Sequence, residues 1–145
     1  MLAPNGKIYL SPASATSVAI IDPETNGFDI ATITGITDVY RSVALGPNGK
    51  IYCIPYSGSN ILVINPFDNS TTTITGFTSG TGYFRGGVLA PNGKIYCVPS
   101  SSPNVMIIDP INNTANTATI TGITNNGWIG GVLSSNGKIY CIPYS

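Results

Sequence analysis

The sequence predicts an all-β fold in which one small antiparallel unit is copied along the chain, and three observations predict it. A nine-residue stretch recurs four times: PNGKIYLSP at Pro4–Pro12, PNGKIYCIP at Pro47–Pro55, PNGKIYCVP at Pro91–Pro99 and SNGKIYCIP at Ser135–Pro143. Its glycines, Gly6, Gly49, Gly93 and Gly137, are 43, 44 and 44 residues apart, a period that marks a copied supersecondary unit. Between the copies, short runs rich in β-branched residues are closed by Gly, Pro, Asn or Asp, the pattern of strands and turns. No helix is predicted anywhere.

Each element can be justified in order. Leu2–Tyr9 repeats Leu89–Tyr96 residue for residue, so the chain is expected to begin partway into a first strand. Asn-Gly is a strong hairpin signal, because a tight primed turn needs positive φ at both central residues. The second strand follows at once, Lys7–Leu10 in the first copy, and Ile51-Tyr52-Cys53-Ile54 is apolar on both faces of the pleat. Such a strand is expected to be buried on both sides. The closing proline cannot donate to a ladder and stops it. A loop of small polar residues, Ser11–Ser17, leads to a third strand at Val18–Ile21, recurring as Ile61–Ile64 and Val105–Ile108. Asp22-Pro23, Asn65-Pro66 and Asp109-Pro110 then fit the first two positions of a type I turn, with the Asx side chain capping the backbone.

A more polar fourth strand reads ATITG, TTITG and ATITG, ending at Gly35, Gly76 and Gly122; its alternating threonines mark an outer strand with one wet face. First strands return at Ser42–Leu45, Gly86–Ala90 and Gly130–Leu133, and the pairs Gly86-Gly87 and Gly130-Gly131 suit inner strands that crowd around an axis. Length variation falls in turns, at Asp109–Ala118 and Phe77–Phe84. Four antiparallel strands per period, glycine-rich inside and threonine-rich outside, make the blade of a β-propeller. Residues 1–145 form a single repeat domain with units 6–48, 49–92 and 93–136 and a partial unit 137–145. That amounts to three blades plus the first two strands of another, an incomplete ring in one chain.

The stretch LAPNGKIYCVPSSSPNVMIIDPINNTANTATITG, Leu89–Gly122, resembles the YVTN and NHL class of propeller repeats. There an S-P-D-G-like turn precedes the second strand, and a V-I-D-like strand ends in a turn. The resemblance covers the whole chain, with Asn5, Asn48, Asn92 and Asn136 where many such repeats carry Asp. It implies the fold and no particular activity, since the family ranges from lyases and lactonases to protein-binding scaffolds, and fold does not determine function.

Composition narrows the function classes. Charged residues make up 8% of the 145-residue chain, six basic against six acidic, which leaves no electrostatic footprint for nucleic acid or an anionic membrane. No apolar run approaches the roughly 18 residues of a membrane helix, and no signal-peptide pattern opens the chain. Low charge and richness in Thr, Asn and Ser favour an extracellular setting, with the compartment otherwise open. There is no histidine, hence neither the usual metal ligand nor the usual general base. Asp29, Asp38 and Asp68 stand in non-equivalent places, and serine comes without a GxSxG elbow. No enzyme, catalytic residue, metal or cofactor is expected; a propeller lyase or hydrolase is the rival reading. Cys53, Cys97 and Cys141 share the repeat position that Leu10 fills in the first copy, which makes it an apolar packing slot of reduced, buried thiols.

The best candidates for binding lie just before each inner strand. Tyr40, Phe84 and Trp128 align, and Arg41 and Arg85 follow the first two, with Ile129 in the third copy. An aromatic ring plus arginine on one rim can stack on and hydrogen-bond a planar or anionic ligand; alternatively the rings wedge between blades. The leading expectation is a non-enzymatic scaffold or binding module, with a lectin-like module for small ligands or glycans as the alternative. Bare strand edges and apolar faces at both ends predict either a piece of a longer parent or a head-to-tail cyclic homo-oligomer. Each chain would add a net of three blades, giving six in a dimer or nine in a trimer. Blade-top loops remain open to a small ligand or a protein partner.

Overall fold

The computed structural model of the chain describes residues 1–77, 83–124 and 127–144. Each recurring stretch closes a hairpin, but not through the primed turn that Asn-Gly predicts. The glycine N–H donates to the carbonyl three residues back, Gly6 to Ala3 and Gly93 to Ala90 at 3.0 Å each. The glycine alone takes positive φ, 82° at Gly6 and 77° at Gly93. Pro4 and Pro91 explain the difference: a proline at the second corner presets a type I turn and leaves the left-handed step to the following glycine. The asparagine side chain is thereby free. Asn5 Oδ1 accepts the Lys7 N–H at 3.1 Å, and its Nδ2 donates to the Tyr9 hydroxyl at 3.1 Å.

Among the described residues every element is a strand. β1 (Ile8–Leu10), β2 (Ala19–Asp22) and β3 (Gly27–Asp29) form a three-stranded sheet. Four-stranded sheets follow: β4 (Val39–Leu45), β5 (Ile51–Ser57), β6 (Ile61–Ile64) and β7 (Thr71–Ile74), then β8 (Phe84–Leu89), β9 (Ile95–Pro99), β10 (Val105–Asp109) and β11 (Thr114–Ile120). β12 (Trp128–Leu133) and β13 (Ile139–Pro143) pair alone. All pairings are antiparallel between sequence neighbours. The first blade has only a stub of its innermost strand, the bridge from Leu2 to Ile8.

Third-to-fourth turns form as the Asx-Pro pairs predict. Asp109 Oδ1 accepts the N–H groups of Ile111 and Asn112 at 3.0 and 3.2 Å, and Asp22 Oδ1 accepts that of Glu24 at 3.0 Å. The first blade departs from its expected fourth strand at Ala31–Gly35. Its outer strand is β3, and only Thr34 bridges back, to Ser17. The cause is Asp29, whose Oδ1 accepts the Ala31 and Thr32 N–H groups at 2.8 and 3.1 Å and turns the chain out of the ladder. The Phe77–Phe84 connection lies largely outside the described residues.

β5 shows how the blades pack. Ile51, Tyr52, Cys53 and Ile54 are all fully buried, as a strand apolar on both faces predicts. Ile51 and Cys53 join Tyr9, Val18 and Ile20 in the core between the first two blades. Tyr52 and Ile54 join Ile95, Cys97, Met106 and Ile108 in the core between the second and third. A repeated polar clamp accompanies each core. Tyr9 Oη and Asn5 Nδ2 of one blade donate to the Pro66 carbonyl of the next at 3.3 and 2.6 Å, and Tyr52 Oη and Asn48 Nδ2 to that of Pro110 at 3.5 and 3.2 Å.

The glycine pairs crowd, though by two routes. A Cβ on Gly86 would lie 3.1 Å from the Gly130 Cα, so there two backbones converge. On Gly87 and Gly131 it would instead meet side chains of the preceding blade, Ile54 at 3.1 Å and Val98 at 3.1 Å. The cysteines divide: Cys53 and Cys97 are buried, whereas Cys141 is exposed, because among the described residues no sheet packs over β13 as the third blade packs over β5. Tyr140 and Ile142, the repeat equivalents of Tyr52 and Ile54, are each 52% exposed.

Candidate functional site at the start of the inner strands

The inner strands begin earlier than the sequence suggests, at Val39, Phe84 and Trp128. Tyr40, Phe84 and Trp128 therefore lie within strands rather than ahead of them. Tyr40 and Phe84 are buried, in the first and second inter-blade cores respectively. Trp128 is half-buried opposite Pro143. Burial, with a smaller push from Asp38, raises the Tyr40 phenol well above its ordinary range, so it stays neutral. Of the two readings of these rings, wedging between blades describes Tyr40 and Phe84.

The arginines have a different fate. β4 pairs Tyr40 with Pro55 and Ser42 with Ile54, skipping Arg41; β12 skips Ile129 in the same way, and the β8 register breaks between Phe84 and Gly87, across Arg85. A β-bulge leaves its extra residue out of the ladder and re-aims its side chain. Arg41 and Arg85 consequently converge on one ring that the sequence reading did not single out, Tyr56 at the end of β5. The Arg41 guanidinium carbon lies 3.9 Å from the Tyr56 ring centroid, and that of Arg85 lies 5.0 Å away. Arg85 Nη2 donates to the Tyr56 hydroxyl at 3.0 Å. Tyr83 stacks on Tyr56 with centroids 4.6 Å apart, and Tyr144 lies 5.6 Å from the Arg85 guanidinium.

These residues gather because first strands start, and second strands end, on the same side of every blade. Tyr56 and Tyr144 share the repeat position after Pro55 and Pro143, where the other copies carry Ala13 and Ser100. That recurrence was the available signal, though sequence spacing could not show that a bulge turns the arginines toward it.

The cluster is cationic and incompletely paired. The ion pairs among the described residues are Lys7 with Asp22 at 3.6 Å and Lys94 with Asp109 at 3.3 Å, and neither involves an arginine. Arg85 Nε is enclosed, yet has no hydrogen-bond partner among the described residues, a costly state for a cationic donor. The Arg85 hydrogen bond also holds the Tyr56 phenol below its ordinary value, against the opposing effect of burial. The arrangement can stack a flat group on tyrosine and offer guanidinium donors to an anion.

The carboxylates of Asp22, Asp29, Asp68 and Asp109 serve turns. Asp68 accepts the Ser70 hydroxyl and N–H at 2.7 and 2.9 Å, which lower its pKa, and Asp38 accepts from Asn60 Nδ2 at 3.1 Å. Among the described residues no three His, Cys, Asp or Glu side chains gather as a metal site would require, and no helix is long and apolar enough to cross a membrane.

No protein-family model matches the chain, and no curated protein matches it. Solved structures do. Hydrazine synthase from Kuenenia stuttgartiensis superposes with a TM-score of 0.74 at 19% identity, over 98% of this chain and 40% of that one. Virginiamycin B lyase from Staphylococcus aureus gives 0.72 at 14%, over 99% and 54%. An auxiliary nutrient binding protein from Bacteroides ovatus gives 0.69 at 17%, over 98% and 35%. The chain thus spans about half, or less, of the length of these proteins. Identities this low carry the fold alone: this is an all-β chain of antiparallel β-propeller blades, an incomplete ring whose structural neighbours include both enzymes and a binding protein.

Proposed function

We propose that the chain is a non-enzymatic β-propeller scaffold of the YVTN and NHL kind, which associates with copies of itself and binds planar anionic groups where Arg41 and Arg85 meet Tyr56. The carrying observation is the enclosed, unpartnered Nε of Arg85, whose guanidinium and that of Arg41 are neutralised by no carboxylate among the described residues. The lack of histidine and the use of Asp22, Asp29, Asp68 and Asp109 in turns support a binding role over catalysis. Low charge and a surface rich in Thr, Asn and Ser support an extracellular setting.

Benzoate, benzyl alcohol and a neutral disaccharide, titrated by calorimetry, test the reading. Benzoate is expected to bind saturably, more weakly in high salt, and at least about tenfold more weakly to Arg85→Gln, since a charge-assisted hydrogen bond contributes roughly 1.5–3 kcal/mol. Benzyl alcohol should not bind. Disaccharide binding that survives Arg85→Gln would support the lectin-like alternative and overturn the anion site.

A further inference from the structure

We infer that a second copy of this chain docks by seating its Asp22–Pro23 turn on Asn92 and Tyr96, so that the Pro23 carbonyl accepts hydrogen bonds from Asn92 Nδ2 and Tyr96 Oη. The inference rests on the self-association proposed above and names the atoms that carry it. Inside the chain the same seat is filled twice. Asn5 and Tyr9 hold the Pro66 carbonyl, and Asn48 and Tyr52 hold that of Pro110. Both prolines are buried there.

At the third repeat the donors stand ready in the same geometry. Asn92 Nδ2 reaches the Tyr96 hydroxyl at 2.9 Å, against 3.1 and 3.0 Å in the filled clamps. Beside them lies an open cleft of about 500 Å³, lined by Ala90, Pro91, Asn92, Tyr96, Gly137 and Ile139. In the filled clamps this place belongs to the third-to-fourth turn of the following blade. The matching turn without a seat is Asp22–Pro23. Pro23 is exposed, unlike Pro66 and Pro110, and no side chain among the described residues donates to its carbonyl.

The flanking faces agree with this pairing. Leu2, Leu10 and Phe28 are 60%, 42% and 65% exposed on the first blade, and Val132, Tyr140 and Ile142 are 58%, 52% and 52% exposed on the β12–β13 pair. β12 is a complete inner strand with no outer blade, whereas the first sheet is an outer blade with only Leu2 of an inner strand. Joined, they share one blade, whose second strand is either β13 or the incoming β1. Each copy then adds a net of three blades, so a closed ring holds six in a dimer or nine in a trimer.

Light scattering on the full chain at micromolar concentration should give two or three times the 15.0 kDa chain mass. Asn92→Asp with Tyr96→Phe should raise the dissociation constant at least about tenfold and leave the far-ultraviolet spectrum unchanged, because among the described residues neither side chain bonds beyond its own hairpin. Tyr96→Phe alone should act in the same direction. A chain that stays at 15.0 kDa would overturn the interface and the self-association together. An oligomer whose dissociation constant ignores both substitutions would overturn the interface and leave self-association standing.

Discussion

Cys53 has no exposed surface, and burial pushes its thiol up to about 12 from the ordinary 9.0. A folded-state pKa above the unfolded one means the folded chain holds a proton that the unfolded chain releases. The resulting contribution is fully present below pH 9 and lost as pH climbs toward about 12. Urea unfolding at pH 8 and pH 10 should therefore show a stability loss that shrinks by about 1.4 kcal/mol in Cys53→Val, while near pH 8 that swap costs no more than about 1.5 kcal/mol. An equal loss in both proteins would place the thiol elsewhere. Cys141 behaves differently despite an identical sequence setting, and should be the one thiol that reacts promptly in dilute protein.

Adjacent glycines in one strand carry opposite expectations. A Cβ on Gly131 would press within 3.1 Å of Val98, 3.2 Å of Val88 and 3.3 Å of Ile139, whereas one on Gly130 would find only Ile142, at 3.9 Å. Gly131→Val should cost on the order of 1–3 kcal/mol; Gly130→Ala should change stability by less than about 1 kcal/mol. Thermal unfolding of the two variants decides, and matching melting temperatures would contradict the packing of β12 against β8 and β9. The strands themselves were readable from alternation and turn residues. Their starting points were not, because the bulges at Arg41 and Ile129 come from how β4 and β12 pair with their neighbours rather than from any local preference.

At the scale of the whole molecule, stability is a sum of junctions between blades. The Tyr9 hydroxyl donates to Asn69 Oδ1 at 2.7 Å and reaches the Pro66 carbonyl at 3.3 Å, so it ties the first blade to the second. Tyr9→Phe strands Asn69 Oδ1 and leaves the Pro66 carbonyl to Asn5 Nδ2 alone, which should cost roughly 1–3 kcal/mol and free the first blade before the others. Tyr140, at the same repeat position, bonds only Asn136 within its own hairpin among the described residues. In protein dilute enough to be monomeric, Tyr140→Phe should leave the melting temperature unchanged, and hydrogen exchange on the two variants separates the cases. Equal protection of β1 and β2 in wild type and Tyr9→Phe would show that the clamp does not hold the junction.

The amino-acid sequence by itself determined the repeat, its period, the all-β character and the burial of β5 on both faces, because these follow from alternation, turn chemistry and copied composition within a few residues. Tertiary structure alone decided the site. Arg41, Tyr56 and Arg85 are separated by 15 and 29 residues, and they meet only because neighbouring blades present the same strand ends to one side. It also decided which of four near-identical hairpins is covered. Tyr9, Tyr52, Tyr96 and Tyr140 share one local sequence, and their fates differ because burial and hydrogen-bond partners are properties of what packs against a residue.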